Sequence, residues 1–183
     1  MKPAENILLV LDLDETLLHS SEKKLALSED FQYAEYYVYF RPHLQWFLEE
    51  MNLHFSLAIW SSADDTYVND LVAKITPKTV NFEFIWGKSR CTPRRNYEFG
   101  NYVFAKHLKK LKKKGFSLEK ILIIDDSPEK TKDNYGNAVY ITPFEGNRED
   151  VTLKKLANYL ISIKDAENVR TIEKRGWLHK NTL

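Results

Sequence analysis

With 183 residues, the chain is long enough for one domain of ordinary size and leaves little room for a second. Its hydrophobic content of 43% and charged content of 29% are typical of a soluble globular protein and disfavour collagen-like, disordered and membrane-embedded classes. The 27 lysines and arginines nearly balance the 26 aspartates and glutamates, so the net charge of +1 provides no overall attraction to nucleic acid or to an anionic membrane. Any affinity for phosphate must therefore be local.

The single cysteine, Cys91, cannot form an internal disulfide, and no Cys/His spacing of a zinc site occurs. A reducing compartment, the cytoplasm, is therefore predicted. The first apolar run, residues 7–11, is too short for the core of a signal peptide or for a membrane span. We expect a monomer that is neither exported nor anchored and that has no direct nucleic-acid or membrane partner.

In chain order, the first predicted element is a strand at 7–11, because a continuous apolar run that ends in acid is typical of a strand buried on both faces of a parallel sheet. The polar and then aromatic stretch at about 20–40 predicts a flap that carries a strand or hairpin. Pro42 then begins a helix with one apolar face. The apolar positions of that helix are Leu44, Phe47, Leu48 and Met51.

Further apolar runs predict two buried strands and a short last one, at 55–60, 121–124 and 139–141. The string SSADD after the first of these offers Ser62 or Asp64 as the N-cap of a helix that reaches about Ile75. Two more helices are expected, at about 103–114, closed by Gly115, and at 153–163. Strands that alternate with helices indicate an α/β fold with a parallel sheet.

Two segments, residues 76–103 and 164–183, do not follow the alternation of strands and helices. Residues 76–103 alternate aromatic stretches, including 97–99, with the basic loop KSRCTPRR, and they predict an insertion of short strands. The charged residues 164–183 predict a tail with one helix at most and a frayed end. We treat residues 1–183 as a single domain that includes this insert and this tail.

Acidic residues follow two of the predicted strands directly. Asp12 and Asp14 follow the first, and Asp125 and Asp126 end a later one. In an α/β sheet, ligands bind outside the carboxyl ends of the strands, so these carboxylates are expected to share one edge. Carboxylates without nearby His or Cys favour a hard cation, and a few of them suit Mg²⁺ better than a complete Ca²⁺ cage. The sequence does not match an EF-hand calcium-binding loop, because Leu17 and Lys23 stand where that loop requires a glycine and a final glutamate.

Four strings occur in a fixed order: LVLDLDETLLHS, IWSSA, an isolated lysine that we place on a helix, Lys106, and IIDDSP. This order resembles the haloacid dehalogenase superfamily of phosphotransferases over roughly residues 6–145. Within it, DLDETL followed by FRPHLQWFLEEM resembles the NIF-like, or FCP-type, small carboxyl-terminal-domain phosphatases, and FGNYVFAKHL and ILIIDDSPEK strengthen the resemblance. The resemblance implies a Rossmann-like three-layer sandwich with a central, mainly parallel sheet, a small flap after the first strand, a short β insert and no large cap domain.

The resemblance also implies a role for each acidic residue. Asp12 would be the nucleophile that forms an aspartyl-phosphate, and Asp14 would be the general acid and base. Lys106 and Mg²⁺ would offset the charge of the phosphate. The metal would be held by Asp12, by the backbone carbonyl of Asp14 and by Asp126. Asp125 would not bind the metal directly but would orient Lys106 or a water bound to the metal.

Five further positions are candidates for contact with the substrate phosphate or its surroundings: Thr16, Ser61, Ser62, Lys88 and Arg90. The hydroxyl of Ser61 would donate to a phosphate oxygen, Thr16 would stabilise the loop, and Lys88 or Arg90 would face the phosphate. Plainer interpretations stay open, because either serine could cap the next helix and Lys106 belongs to the basic string KHLKKLKKK, which is typical of a solvated helix face.

The leading hypothesis is therefore a Mg²⁺-dependent phosphomonoesterase acting on phosphoserine or phosphothreonine in a protein or peptide. A site without a large cap favours a macromolecular substrate. Two alternatives remain open: a capless phosphatase of small metabolites, and a non-enzymatic protein-interaction module that uses the aromatic flap and the charged tail. Cysteine-dependent phosphatases and P-loop enzymes are disfavoured, because neither Cys-x5-Arg nor a Walker loop occurs.

Overall fold

The computed structural model describes residues 6–96 and 100–179. In chain order, its strands are β1 (Leu8–Leu11), β2 (Leu18–Ser21), β3 (Phe31–Tyr33), β4 (Tyr36–Phe40), β5 (Ser56–Trp60), β6 (Phe82–Trp86), β7 (Thr92–Asn96), β8 (Asn101–Ala105), β9 (Ile121–Asp125) and β10 (Ala138–Tyr140). The α-helices are α1 (Leu44–His54), α2 (Asp65–Ile75), α3 (Pro128–Thr131) and α4 (Thr152–Ser162). Short 3₁₀ helices lie at Lys88–Arg90, Leu108–Lys114, Leu118–Lys120, Val169–Thr171 and Trp177–His179.

Five parallel strands form the central sheet, in the order β10-β9-β1-β5-β6. β1 lies in the middle, and its four residues are completely buried. Leu9 and Leu11 pack in the same core as α1, α2 and α4, whereas Leu8 and Val10 face the second core beneath the 3₁₀ helix Leu108–Lys114. The alternation of side chains along a strand explains this division, and each buried aliphatic side chain contributes about 1.5–3 kcal/mol. The α/β three-layer fold with a central parallel sheet is confirmed.

Two small antiparallel sheets lie outside the central one. After β1, strands β2, β4 and β3 form the predicted flap, with β4 in the middle. β7 and β8 form a hairpin. The described residues contain no large cap domain, as expected. The aromatic stretch at 97–99, the first five residues and the last four lie outside the described residues.

The segment 76–103 is not an insertion throughout. Its first strand, β6, pairs in parallel with β5 and is an edge strand of the central sheet; the hairpin β7–β8 alone stands apart from that sheet. Aromatic stretches beside a basic loop suggested short strands outside the core, but an edge strand is also only partly covered and can carry exposed charged residues. Phe84 is buried, whereas Glu83 is exposed.

The helix expected over 103–114 is wrong in type and in extent. β8 continues to Ala105, Lys106 follows in an extended link, and the chain then forms a 3₁₀ helix at Leu108–Lys114. Leu108 and Leu111 are its buried residues, and their spacing of three matches the three residues per turn of a 3₁₀ helix. Gly115 ends it with a φ of 90°, which a glycine adopts without strain.

The expected charged tail lies against the sheet as far as residue 179. Val169 and Trp177 are buried, and Trp177 Nε1 donates a hydrogen bond to the carbonyl of Tyr140, 2.7 Å away, on edge strand β10. Its described part, residues 164–179, forms two 3₁₀ turns and no α-helix. No helix of the described residues has the length and apolar character needed to cross a bilayer.

Candidate active site

Three carboxylates meet at the carboxyl edge of the central strands. Asp12 follows β1, and its backbone N–H donates to the carbonyl of Ile124, 3.0 Å away, which extends the pairing with β9. Asp125 ends β9 and Asp126 follows it. One carboxylate oxygen from each of Asp12, Asp125 and Asp126 lies within 4.8 Å of the others. The topology therefore brings together two acidic motifs that are more than 100 residues apart in the sequence.

Lys106 lies between two of these carboxylates. Its Nζ is 2.5 Å from Asp12 Oδ1 and 2.7 Å from Asp125 Oδ2, and the side chain is fully buried. Burial alone would lower the pKa of Lys106, but the charges of Asp12 and Asp125 more than offset that effect and raise it. The lysine is therefore a cation here, so the interpretation of Lys106 as part of a solvated helix face does not apply to this side chain.

Carboxylates outnumber the lysine three to one at this site. Burial raises the pKa of Asp125 to about 6 against the opposing charge of Lys106, and burial followed by the charge of Asp12 raises the pKa of Asp126. A donor set made only of carboxylate oxygens with excess negative charge fits a hard divalent cation such as Mg²⁺. Asp125 is part of this set, while the carbonyl of Asp14 stays a predicted ligand.

The second aspartate of the first motif has different partners. Asp14 Oδ1 accepts a hydrogen bond from Tyr67 Oη at 2.6 Å, and Asp14 Oδ2 accepts one from Ser61 Oγ at 3.4 Å. Burial raises the pKa of Asp14; the Tyr67 hydrogen bond lowers it, and the charge of Asp12 raises it further, with a net upward shift. Such a carboxyl is suited to carry and return a proton. Thr16 Oγ1 donates to Asp12 Oδ2 at 3.2 Å.

The loop after β5 places Ser61 at the same edge. Its N–H donates to the carbonyl of Trp86 at 2.9 Å, and its Oγ accepts from the N–H of Ala63 at 3.0 Å. Neither serine caps the next helix, because the N-cap of α2 is Asp64, whose side chain accepts from the N–H of Thr66. Ser62 is partly exposed beside Ser61.

The 3₁₀ turn Lys88–Arg90 follows β6 and is held against this loop. Lys88 N–H donates to the carbonyl of Ala63 at 2.8 Å, and the carboxylate of Asp65 accepts from the N–H groups of Gly87 and Ser89. Both basic side chains are exposed and lie over aromatic rings: Lys88 Nζ is 4.2 Å from the ring centre of Phe104, and the guanidinium of Arg90 is 5.4 Å from that of Trp86. Their contact with a substrate phosphate stays a prediction.

Sequence reasoning missed Tyr67. Its hydroxyl oxygen also accepts a hydrogen bond from Ser20 Oγ at 2.7 Å, so Tyr67 joins Asp14 to the flap, and its ring packs edge-to-face against Tyr33 at 5.6 Å. The available signal was weak: Tyr67 is a partly buried residue in the first turn of α2, four residues after the string IWSSA, and no motif includes it.

Arg41 was also missed. It is almost completely buried and donates to the carbonyls of Thr16 and Thr142, at 3.1 and 2.9 Å, and to both carboxylate oxygens of Asp150. These bonds support the back of the loop that carries Asp12. A charged residue immediately before Pro42, in an otherwise apolar stretch, was the signal that could have indicated it.

Known proteins that resemble this chain in sequence include several that are phosphatases by name. The model of the NLI interacting factor-like phosphatase family matches residues 7–170. The chain is 31% identical to CTD small phosphatase-like protein 2 of Dictyostelium discoideum over 90% of this chain and 28% of that protein. It is 29% identical to the human carboxy-terminal domain RNA polymerase II polypeptide A small phosphatase 1 over 92% of this chain and 64% of that protein.

A solved structure shares the fold. "The Structure of Fcp1, an essential RNA polymerase II CTD phosphatase" superposes with a TM-score of 0.68 at 15% identity, over 87% of this chain and 62% of that one. The chain thus spans between about a quarter and two thirds of the length of the relatives described. Because the family model covers almost all of the sequence, the chain belongs to the NLI interacting factor-like phosphatase family.

Proposed function

We propose that the chain is a Mg²⁺-dependent phosphomonoester hydrolase that works through an aspartyl-phosphate on Asp12. The observation that carries the proposal is the buried arrangement of Lys106 between Asp12 and Asp125, beside Asp126. A nucleophilic carboxylate must approach an anionic phosphate, so the site needs fixed positive charge. Lys106 supplies one such charge at 2.5 Å from Asp12.

The reaction proceeds in two displacements at phosphorus. A carboxylate oxygen of Asp12 forms a bond to phosphorus while the bond to the leaving oxygen breaks, and Asp14 donates its proton to that oxygen. Asp14 then accepts a proton from water as the water oxygen attacks phosphorus and releases Asp12. Tyr67 and Ser61 hold the Asp14 carboxyl in place for both transfers.

Magnesium would be held by Asp12, Asp126 and the backbone carbonyl of Asp14. Asp125, whose carboxylate accepts from Lys106 at 2.7 Å and from the N–H of Ser127 at 2.9 Å, would orient Lys106 beside the metal. When bound, it would stabilise the negative charge on the phosphoryl oxygens. We expect Mg²⁺ to raise the thermal midpoint of the wild-type protein because a ligand that binds only the folded state stabilises it. Asp126→Asn should weaken this shift, and an equal shift in both proteins would contradict the ligand assignment.

The proposed substrate is phosphoserine or phosphothreonine in a protein or peptide. Two observations support this choice: the described residues include no large cap over the site, and relatives carry the names of phosphatases of the RNA polymerase II carboxy-terminal domain. We also propose a monomer in the cytoplasm with no direct nucleic-acid or membrane partner. The buried, unpaired Cys91 is compatible with a reducing compartment.

The test is release of phosphate from p-nitrophenyl phosphate by the wild type, Asp12→Asn and a matched control, Asp165→Asn. Asp165 is exposed and lies after α4, outside the site. We expect Mg²⁺-dependent turnover in the wild type and the control, and a loss of at least about 10³-fold in Asp12→Asn, as for removal of a nucleophile. Equal activity of the wild type and Asp12→Asn would refute the role of Asp12.

A panel of phosphopeptides, sugar phosphates and nucleotide monophosphates then distinguishes the substrate classes. Higher kcat/KM on metabolites would favour the capless metabolite phosphatase. No turnover of any substrate in Mg²⁺ would favour the interaction module.

A further inference from the structure

The near-zero net charge conceals a strong asymmetry along the chain. Residues 88–120 contain eleven lysines and arginines and two glutamates, a net charge of +9, whereas the other 150 residues carry −8. Seven of these cations belong to the turn after β6 and to the 3₁₀ helix Leu108–Lys114. This set, called the basic face below, consists of Lys88, Arg90, Lys109, Lys110, Lys112, Lys113 and Lys114.

The basic face begins beside the candidate active site. Lys110 Nζ donates to the carbonyl of Arg90 at 2.7 Å, which joins the 3₁₀ helix to the turn. Lys114 Nζ lies 5.8 Å and the Arg90 guanidinium 5.4 Å from the ring centre of Trp86. The carbonyl of Trp86 in turn accepts from the N–H of Ser61. Positive charge therefore extends outward from the phosphate-binding edge of the sheet.

The acids of the described residues do not neutralise the charge of this face. Within the described part of the chain, none of its seven cations forms an ion pair with a carboxylate, whereas the nearby Arg94 pairs with Asp133. Six of the seven are exposed and Lys110 is partly exposed. Such a surface attracts anions over roughly 10 Å at moderate ionic strength.

We propose that the basic face binds an acidic segment of a phosphopeptide substrate, next to the phosphorylated residue. This inference rests on the proposed function and adds a substrate class to it. The 3₁₀ helix begins two residues after Lys106 and rises about 2 Å per residue, so Lys112 and Lys113 lie about 10–15 Å along the chain from the site. An extended peptide rises about 3.3 Å per residue, which places the matching acids roughly three to five residues from the phosphoresidue.

Other anionic partners fit this face less well. Single-stranded nucleic acid stacks successive bases on several free aromatic rings, but here Lys88 lies over Phe104 and Arg90 over Trp86, which leaves Tyr102 as the exposed ring among the described residues of 88–120. A membrane-binding surface presents large apolar side chains beside its cations. Among the described residues of segment 88–120, Tyr102 is the one exposed large apolar side chain.

The experiment compares two phosphoserine peptides of otherwise identical sequence. The Glu peptide carries glutamates at the positions three to five residues on either side of the phosphoserine, and the Gln peptide carries glutamines there. The variant Lys109→Gln/Lys112→Gln/Lys113→Gln removes three exposed charges from the basic face. The matched control, Lys78→Gln/Lys154→Gln/Lys155→Gln, removes three exposed charges elsewhere on the chain. The readout is the ratio of kcat/KM for the Glu peptide to that for the Gln peptide, measured at low and at high salt.

We expect the wild type and the control to prefer the Glu peptide, through KM, by roughly fivefold to tenfold at low salt, and the basic-face variant to lose most of this preference. High salt should abolish the preference in all three. If the wild type hydrolyses p-nitrophenyl phosphate but treats both peptides alike, the basic face is not a substrate-binding surface and the proposed function is unaffected.

A binding measurement keeps the inference testable if no substrate is hydrolysed. Fluorescence anisotropy with a labelled, unphosphorylated Glu peptide should show binding to the wild type and the control and weaker binding to the basic-face variant. Absence of binding to the wild type would refute the inference. Tighter binding of an oligouridylate or of phosphatidylserine vesicles than of the Glu peptide, at the same salt, would refute the choice of a peptide.

Discussion

Asn134 offers a sharp test of how the fold positions Lys106. The side chain is buried, its Nδ2 donates to the carbonyl of Lys106 at 2.6 Å, and its Oδ1 accepts from the N–H of Leu108 at 3.0 Å. These two bonds hold the backbone on both sides of His107 in the extended link between β8 and the 3₁₀ helix. The N–H of Lys106 itself donates to the carbonyl of Lys130.

We predict that Asn134→Ala lowers both stability and catalysis. It leaves one buried carbonyl and one buried N–H without a partner, at about 1–3 kcal/mol each, so the free energy of unfolding should fall by roughly 2–6 kcal/mol. A shift of about 1 Å in a catalytic group can cost about 10²-fold in rate. We therefore expect kcat for p-nitrophenyl phosphate to fall by roughly tenfold to a hundredfold.

The matched control is Asn137→Ala. Asn137 is also buried, and its Nδ2 donates to the carbonyls of Leu118 and Ile121, at 2.6 and 2.7 Å, away from Lys106. Urea unfolding should show similar losses of stability in both variants. Steady-state kinetics, at a temperature where both remain folded, should show the loss of kcat in Asn134→Ala alone. Equal kcat in the two variants, or a change of less than about twofold in Asn134→Ala, would refute a positioning role.

Three further predictions concern other parts of the site. Tyr67→Phe removes one hydrogen bond from Asp14 and should lower kcat by about tenfold, less than Asp14→Asn; wild-type kcat would show that Tyr67 does not position the acid. Ser61→Thr keeps the hydroxyl and should retain most of the activity on p-nitrophenyl phosphate. Ser61→Ala should raise KM or lower kcat severalfold. The same KM and kcat in both variants would exclude a role for the hydroxyl. Burial raises the pKa of Asp150, but the hydrogen bonds from Arg41 and Thr152 together hold it below its ordinary value. The stabilisation by these bonds is therefore present above about pH 4 and is lost as the pH falls through the lowered pKa. Urea midpoints measured from pH 5 to 3 should fall less steeply for Asp150→Asn than for the wild type, and parallel slopes would contradict this linkage.

The sequence by itself determined the elements whose side chains have one clear periodicity. The apolar run before Asp12 and the run before Asp125 are two central strands, and adjacent parallel strands must end at one edge. The meeting of these acids at one edge could therefore be predicted, whereas the role of each acid came from the resemblance to the phosphatase family. The helices α1, α2 and α4 were also predictable, because their buried residues repeat every three or four positions.

Tertiary structure decided what local periodicity does not encode. The string around Lys106 has the composition of a helix, yet its conformation follows from the bonds of Asn134 and from the burial of two leucines three residues apart. Tyr67 and Arg41 contact residues that lie 53 and 109 positions away in the sequence, Asp14 and Asp150. A pattern of polar and apolar residues indicates which side chains are buried, but the order of the strands determines which of them meet. For the same reason, the net charge of +1 concealed a face of seven cations, because total charge carries no information about where the charges lie.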